Sequence, residues 1–337
     1  MKRLISMLLL FAAVVSASAA VFTDSLGREI ELPDTIDGIA PSGNLAQLVL
    51  YSVAPEKITG WSSRLSGSAR EYFTQDVVNL PVFGTFYGKK ANLNKEALMA
   101  AAPDVVIDMG EIKGSKEAMI ADLDKLQDDI LIPVIFIEAY LENTPEVYRT
   151  VGKLLGEEEK CEKLAVFAEE AINMAAEART KIKDPVTVYY SSSADGLQAI
   201  PEGNFHGEVI EKIGAENAVK ASLGASAAEI SLEELYMSDP DVILLTEQDA
   251  YDEVTTNPLW SPLSAVINNR VYLIPSEPYP FIDNPPATNR IIGIYWLGNL
   301  LYPELYPINI IEETKEFYSL YYNHELTDED AARILGL

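Results

Sequence analysis

A long segment without glycine or proline, residues 157–183, limits the folds open to this chain more than any other feature. Apolar side chains recur in it at the three- and four-residue spacing of a helix with one buried face. They are Leu164, Phe167, Ala168, Ala171, Ile172 and Ala175. At about 1.5 Å per residue, these roughly 27 residues would form a helix about 40 Å long, which exceeds the width of one small domain. The segment therefore indicates a bridge between two bodies.

A repeat on either side of this segment favours the bridging helix over an ordinary long surface helix. The first copy is NKEAL, four residues and PDVVI (94–107), and the second is SLEEL, four residues and PDVIL (231–244). In each copy a capping residue starts a short helix, Pro-Asp ends it, and a β-branched run follows as a buried strand. Ser231 and Glu234 have the spacing of a capping box. Two such copies predict two lobes of similar plan.

The alternation of strand and helix on both sides predicts an α/β fold. We expect two lobes of similar βα plan with parallel-rich sheets, bridged by one long rigid helix, with a ligand cleft between the lobes. Thr144 is the expected N-cap of the bridging segment, and a strand is expected at 57–61. The predicted divisions are a signal peptide at 1–20, an N-terminal lobe at 21–143, a bridging helix at 144–184, and a C-terminal lobe with terminal helices at 185–337.

The N-terminus has the composition of a secretory signal peptide. Lys2 and Arg3 precede an apolar stretch that is too short for a membrane span, and small residues favour cleavage after Ala20. The one cysteine, Cys161, lies in the predicted bridging helix, so we expect no disulfide and no cysteine placed to receive a lipid anchor. These features favour a soluble periplasmic protein, which we expect to be a monomer.

Charge and composition argue against several classes of function. The formal net charge is −27, which disfavours nucleic acid and anionic membrane surfaces as partners. His206 and His324 are far apart in sequence, whereas bare transition-metal sites gather several His, Asp and Glu side chains, so no metal site is expected. The chain has no Gly-x-Ser-x-Gly or Walker sequence, and nothing pairs Cys161 with a histidine. We therefore expect neither an enzyme nor a bound cofactor.

Six segments, in fixed order and spacing, carry a resemblance that extends over residues 21–337. They are VFTDSLGREIELP (21–33), NLNKEALMAAAPDVVIDMG (92–110), VYYSSSADGLQAI (188–200), HGEVIEKIGAENAV (206–219), NPLWSPLSAVINNRVYLIP (257–275) and IDNPPATNRIIGIYWLGNLLYP (282–303). The chain resembles the periplasmic substrate-binding proteins of ATP-binding-cassette importers, in the group for iron–siderophore, haem and cobalamin. That family has two α/β lobes bridged by one long helix, in agreement with the fold indicated by the repeat.

The resemblance implies a binding protein that captures an iron chelate, such as a siderophore, and delivers it to a membrane permease. It does not fix the cargo. A molybdate or tungstate oxyanion, haem and cobalamin are the alternatives. An enzyme on the same two-lobed plan and an adhesion or scaffold protein are the competing classes, and no feature of the sequence supports either.

The predicted ligand contacts are aromatic, polar and cationic residues in or beside strand-end loops. Aromatic rings offer a large contact area with few torsions to freeze, which suits a bulky chelate, although each ring could equally pack its own loop. Pro285–Thr288 looks like a helix start that would favour an anion, with Arg290 adding a bidentate contact unless Arg290 pairs with Asp283 or Asp239. The predicted ligand-binding residues are Ser42, Asn44, Trp61, Arg64, Tyr87, Lys89, Tyr190, Ser191, Asp195, His206, Glu247, Tyr279, Phe281, Asp283 and Arg290.

Two acidic residues are the predicted contacts with the permease. In relatives of the family, an acidic residue on each lobe meets arginines of the permease. By resemblance, Glu96 in the first repeat and Glu208 in HGEVIEKIG are the matching positions, both expected on early turns of exposed helices. The competing explanation is that these are ordinary solvated charges among 52 acidic residues, with Glu96 favouring its helix N-terminus.

Overall fold

The structure is a computed structural model that describes residues 19–65, 67–86, 91–220 and 227–337. Most of the predicted signal peptide and the predicted ligand contacts Tyr87 and Lys89 lie outside these ranges. Among the described residues, no helix is both long enough and apolar enough to cross a membrane.

The N-terminal lobe is built on a parallel sheet. The sheet has the strand order β3–β4–β5, and a small antiparallel hairpin of β1 and β2 precedes it. Its strands are β1 (Ala19–Thr23), β2 (Glu29–Pro33), β3 (Ile39–Pro41), β4 (Val105–Gly110) and β5 (Val134–Glu138). Its helices are α1 (Asn44–Val53), α2 (Gln75–Val78), α3 (Lys95–Ala101) and α4 (Lys116–Ile130).

The strand predicted at 57–61 is wrong. The chain makes a short 3-10 turn at Pro55–Lys57 and then forms isolated bridges, Ile58 with Ile39 and Trp61 with Val82. Because the segment crosses between two partners instead of following one, no continuous ladder of backbone hydrogen bonds develops.

The bridging segment is a hairpin of two helices, not one helix over 144–184. Helix α5 (Thr144–Leu155) ends at Gly156, whose φ of +73° turns the chain, and α6 (Glu158–Arg179) then packs against α5. The two helices approach closely at Gly152, where an added Cβ would lie 2.7 Å from the Cβ of Cys161. The apolar residues predicted to share one face of α6 are all buried.

Both ends of this hairpin differ from the sequence prediction. Asn143, not Thr144, occupies the N-cap position of α5, since the Thr144 hydroxyl donates to the carbonyl oxygens of Tyr140 and Leu141. Helix α6 has 22 residues, so its length is about 33 Å at about 1.5 Å per residue, shorter than predicted. It ends where the Thr180 hydroxyl donates to the Glu177 carbonyl oxygen at 2.7 Å, a local bond that competes with the helix.

The C-terminal lobe has a mixed sheet with the order β11–β10–β6–β7–β9, and β8 also pairs with β6. Strands β8, β6, β10 and β11 are parallel, while β7 and β9 form an antiparallel edge. The strands are β6 (Thr187–Ser191), β7 (Gln198–Ala199), β8 (Glu216–Asn217), β9 (Ala228–Glu229), β10 (Val242–Leu245) and β11 (Val271–Leu273). The helices are α7 (Glu208–Lys212), α8 (Leu232–Ser238), α9 (Gln248–Thr256), α10 (Ser264–Ile267), α11 (Asn289–Leu301), α12 (Ile310–Tyr322) and α13 (Asp328–Leu335).

The two copies of the repeat have the local structure that the sequence predicts. The Asn94 side chain accepts from the Ala97 amide at 3.0 Å to cap α3, and Ser231 with Glu234 forms the predicted capping box on α8. Each helix ends in a left-handed residue, Ala102 in the first copy and Asp239 in the second. The strand that follows, β4 or β10, is buried along its whole length. The fold is therefore two α/β lobes of related plan.

Helix α12 is a second element that contacts both lobes. It packs against α1 of the N-terminal lobe, against α6 and against α11 of the C-terminal lobe. The Tyr51 hydroxyl on α1 donates to the Tyr322 carbonyl oxygen at 2.9 Å, and the Tyr321 hydroxyl donates to the Leu164 carbonyl oxygen on α6 at 2.6 Å. The interlobe aromatic cluster around it comprises Tyr51, Phe73, Tyr148, Phe167, Tyr295, Phe317, Tyr318, Tyr321 and Tyr322.

Candidate functional site

A cavity of about 390 Å³ lies between the strand-end loops of the two lobes. Its volume is within the range of small-molecule binding sites. The N-terminal lobe supplies Thr85, the residues after β3, and the residues at the end of β4 and after it. The C-terminal lobe supplies the residues before α7 and before α11. The lining residues are Ser42, Gly43, Asn44, Leu45, Thr85, Asp108, Met109, Gly110, Glu111, Lys113, Phe205, His206 and Pro286.

The N-terminus of α1 opens onto this cavity. Strand β3 ends at Pro41, and Gly43 occupies the N-cap position of α1 in an extended conformation without any side-chain cap. The first backbone bond of the helix runs from the Gln47 amide to the Gly43 carbonyl oxygen at 2.9 Å. Within the described chain, the amides of residues 44–46 have no acceptor, and a Cβ added at Gly43 would meet nothing within 4 Å. These amides leave partial positive charge at the cavity wall.

Asp108 contributes a buried carboxyl group to the same wall. It is the one acidic residue of β4, with 2% of its surface exposed. Its Oδ1 accepts a hydrogen bond from the Ser42 hydroxyl, whereas its Oδ2 has no partner among the described residues. Burial raises the pKa of Asp108 above its ordinary value, because desolvation penalises the charged form.

His206 faces the cavity from the C-terminal lobe. Asn204 orients the turn before α7 by accepting from the His206 amide at 2.8 Å. The Nδ1 atom of His206 lies 2.7 Å from Oδ1 of the buried Asp283, whose Oδ2 accepts from the Tyr190 hydroxyl at 3.4 Å. The hydrogen bond to Asp283 raises the pKa of His206 above its ordinary value, although burial acts in the opposite direction. The side chain is 39% exposed, so an imidazolium here meets the cavity.

Arg290 supports the cavity wall from behind and does not line it. The side chain is 3% exposed, and Nη1 donates to Glu208 Oε2 and to the Phe205 carbonyl oxygen, the latter at 3.3 Å. The guanidinium carbon lies 4.6 Å from the centroid of the Phe205 ring. Its salt-bridge partner is therefore Glu208, not Asp283 or Asp239, and Asp239 instead accepts from Ser264. Its Nη1 atom is held by protein groups because α7 brings Glu208 against the start of α11, whereas its Nε atom is buried without a partner among the described residues.

Only part of the predicted ligand set comes together at the cavity. Ser42, Asn44 and His206 line it, and Asp283 and Tyr190 lie behind His206. These five residues come from both lobes, which agrees with a ligand site between the lobes.

The predicted aromatic contacts Trp61, Tyr279 and Phe281 lie elsewhere. Trp61 is buried in the N-terminal core, where its Nε1 donates to the Val77 carbonyl oxygen at 2.8 Å. Tyr279 packs edge-on against Phe73, and burial raises its pKa to about 12. Phe281 is fully buried. These rings therefore contribute to packing and do not line the cavity.

Four predicted polar contacts serve local structure or solvent. The Ser191 hydroxyl donates to the Gln198 carbonyl oxygen at 2.9 Å, and Asp195 accepts from the Ser193 hydroxyl at 2.6 Å, so both shape the turn after β6. Glu247 is the exposed N-cap residue of α9, and Arg64 is exposed outside the cavity lining.

The residues missed by sequence reasoning lie mostly at the end of β4 and just after it. Asp108, Glu111 and Lys113 line the cavity, together with Thr85 and Phe205. A usable signal was present, because Asp108 is an acidic residue at the carboxyl end of a buried parallel strand, where ligands bind in open α/β sheets.

Comparison with known proteins agrees with this architecture. The sequence profile of the family described as "Periplasmic binding protein" matches residues 66–278. The Fe(3+)-citrate-binding protein YfmC of Bacillus subtilis is 27% identical over 191 residues, covering 56% of this chain and 58% of that protein, so the chain spans less than two thirds of this relative.

Two solved structures share the fold over nearly the whole chain. An ABC transporter solute binding protein from Sulfurospirillum deleyianum is 28% identical with a TM-score of 0.86, covering 94% of this chain and 99% of that chain. The molybdate periplasmic binding protein MolA of Haemophilus influenzae, bound to molybdate, is 20% identical with a TM-score of 0.73, covering 91% and 99%. The second likeness is one of fold alone.

Proposed function

This chain belongs to the periplasmic binding protein family, and on that premise we propose that it is the solute-binding component of an ATP-binding-cassette importer whose cargo is an anionic iron chelate. The cavity between the lobes is the proposed binding site. The observation that carries the proposal is the convergence there of the α1 amides, unpaired within the described chain, with Lys113 and His206, in a chain whose formal net charge is −27. Two carboxyl groups, those of Asp108 and Glu111, also line the cavity.

The donors come from both lobes. The N-terminus of α1 and Lys113 face the cavity from the N-terminal lobe, and His206, held by Asp283, faces it from the other. Helix N-termini and cationic side chains favour carboxylate oxygens. The side-chain amide nitrogen of Asn44 adds a donor that suits another oxygen of a chelate. Ferric citrate, the ligand named for the relative YfmC, is of this chemical class.

The alternative cargoes fit the cavity less well. A bare oxyanion such as molybdate is the smallest alternative, and a volume of about 390 Å³ gives room for a larger ligand. Haem and cobalamin offer flat macrocycles that aromatic side chains bind well. Among the described lining residues Phe205 is the one aromatic ring, since Tyr190, Tyr279 and Phe281 are packed away. An anionic chelate of modest size therefore matches the described lining best.

Calorimetric titration of the full chain tests this proposal. Ferric citrate, a ferric hydroxamate siderophore, haem, cobalamin and molybdate would be titrated separately. We expect saturable binding of at least one ferric chelate and no binding of haem or cobalamin. Binding of molybdate alone would overturn the iron-chelate proposal and leave the oxyanion as the cargo.

We expect Lys113→Gln to weaken binding of the ferric chelate by about threefold to tenfold. The substitution removes an exposed ammonium group, so the anionic ligand loses one attraction. Ion pairs of this kind contribute about 0.2–1 kcal/mol or slightly more. Lys116→Gln is the matched control, because Lys116 is an exposed lysine at the start of α4, outside the cavity lining. Calorimetry at two ionic strengths should show the difference between the variants shrinking with salt. Equal weakening in both variants would contradict a contact at Lys113.

The proposed importer implies a permease as partner, and the two acidic positions predicted to meet it differ in the structure. Glu96 is exposed in the first turn of α3, as docking requires. Glu208 is 31% exposed, and its Oε2 accepts from Arg290 and, at 3.4 Å, from the Leu141 amide. We therefore propose Glu96 as a docking residue, while Glu208 has a structural role that any docking contact would have to share.

A further inference from the structure

We propose that an anionic oxygen group of the ligand binds between the N-terminus of α1 and the carboxyl group of Asp108, and that Asp108 carries a proton in the complex. Binding then takes up a proton from solution. This inference rests on the proposed function, because it assigns a subsite within the same cavity.

The first argument is the pair of unsatisfied groups that meet at one wall. The α1 amides of residues 44–46 have no acceptor in the described part of the chain, and Gly43 leaves open space before them. Asp108 has one oxygen bonded to Ser42 and one oxygen, Oδ2, that is buried and unpartnered within the described ranges. Buried polar atoms in native proteins are almost always paired, so Oδ2 indicates a partner from the ligand.

The second argument concerns the proton. An anionic oxygen beside an ionised carboxylate in a poorly solvated cavity would be repelled, whereas a protonated carboxyl donates a hydrogen bond to it. Burial already raises the pKa of Asp108 in the free protein, and an approaching anion raises it further. The α1 amides and the Asp108 carboxyl then act together as donors to one anionic group.

The charged neighbours of Asp108 do not remove this preference. Desolvation is the largest influence and raises the pKa of Asp108, whereas Lys113, the hydrogen bond from Ser42, the adjacent Met109 amide and Arg28 lower it. Arg28 is itself paired with Asp24 and Asp124. Glu111 and His206 line the same cavity.

The sign of the pH dependence follows from this arrangement. Above the pKa of Asp108 in the free protein, affinity falls as pH rises, by up to tenfold per pH unit, because each binding event takes up one proton from solution. Below that pKa the carboxyl is already protonated, and its contribution to the pH dependence disappears. The imidazolium of His206 also favours an anion at low pH, so the two groups must be separated by experiment.

Calorimetry of the full chain with ferric citrate, in buffers of different ionisation enthalpy between pH 5 and 8, counts the protons taken up. We expect Asp108→Asn, which keeps the shape and a neutral donor, to retain binding within about threefold at the lowest pH. It should take up fewer protons than the wild-type chain, by as much as one, and its affinity should fall less steeply with pH. Changes in ferric citrate speciation cancel, because both proteins meet the same solutions.

His206→Gln and Ser42→Ala complete the design. His206→Gln should leave the Asp108 component of proton uptake in place, and Ser42→Ala should move that component to higher pH by removing a donor to the carboxyl. Ser42→Ala also provides the test if Asp108→Asn fails to fold. Equal proton uptake and equal pH slopes in the wild-type and Asp108→Asn chains, or an unmoved profile in Ser42→Ala, would overturn the inference. Absence of wild-type binding to ferric chelates at every pH would instead overturn the proposed function.

Discussion

Arg290→Ala is expected to lower the free energy of unfolding by about 3 kcal/mol, the lower end of the range for removing one partner of a buried ion pair, because Arg290 is buried but Glu208 is partly exposed. The guanidinium is 3% exposed and binds Glu208, the Phe205 carbonyl oxygen and the Phe205 ring. Its loss leaves Glu208 without its cation and leaves a gap behind the cavity wall. Urea denaturation followed by circular dichroism would measure the change.

A double-mutant cycle with Glu208→Gln identifies the cause. If the unpaired carboxylate is the main cost, adding Glu208→Gln should recover part of the stability lost in Arg290→Ala. Arg64→Ala is the matched control, because Arg64 is an exposed arginine outside the cavity, and it should change stability by less than about 0.5 kcal/mol. Unchanged stability with lost ligand affinity in Arg290→Ala would contradict the structural role and restore Arg290 as a direct ligand contact.

Phe317→Ala is expected to cost about 3–5 kcal/mol of unfolding free energy, the usual range for truncating a buried phenylalanine. Phe317 is fully buried at the centre of the interlobe aromatic cluster, where it stacks on Tyr321 with ring centroids 4.7 Å apart and also contacts Phe167 of α6. Since α12 packs against both lobes, we expect the whole unfolding transition to shift. Denaturation monitored by tryptophan fluorescence and by circular dichroism would test this.

Phe317→Leu provides the graded comparison for that result. It removes less volume and should cost clearly less than the alanine variant, with the same transition shape. A second, unshifted transition in Phe317→Ala would show that one lobe unfolds independently of the cluster and would contradict a shared core.

The sequence predicted the features that depend on local chemistry. Side-chain caps, helix periodicity and the two copies of the repeat are set by neighbouring residues, and the structure confirms them at Asn94, at Ser231 and along α6. The errors arose where a distant partner decides the conformation. Residues 57–61 divide their pairing between Ile39 and Val82, and the Thr144 hydroxyl bonds backwards along the chain instead of capping α5.

The candidate site was harder to predict because residue type does not show which side chains face the cavity. The orientation of each side chain decides whether it lines the cavity or packs behind its wall. Arg290 has the chemistry of an anion contact, but its Nη1 atom donates to Glu208, which is 82 positions away in sequence. Tyr190 has the chemistry of a ligand contact, but it is buried beneath Asp283. Asp108 follows the apolar run of a predicted buried strand, and hydrophobic periodicity cannot show that the end of this strand meets a cavity.

Helix α12, which contacts α1, α6 and α11, has a consequence for how cargo is exchanged. The α5–α6 hairpin and α12 both connect the lobes, so a large rotation of one lobe would have to separate buried aromatic rings. We therefore expect a preorganised binding site that loses little free energy to rearrangement when the ligand binds. The same stiffness means that the protein stores little elastic energy with which to expel its ligand. In the proposed importer, the free energy for ligand release would therefore come from the nucleotide-driven permease, which would have to separate the lobes.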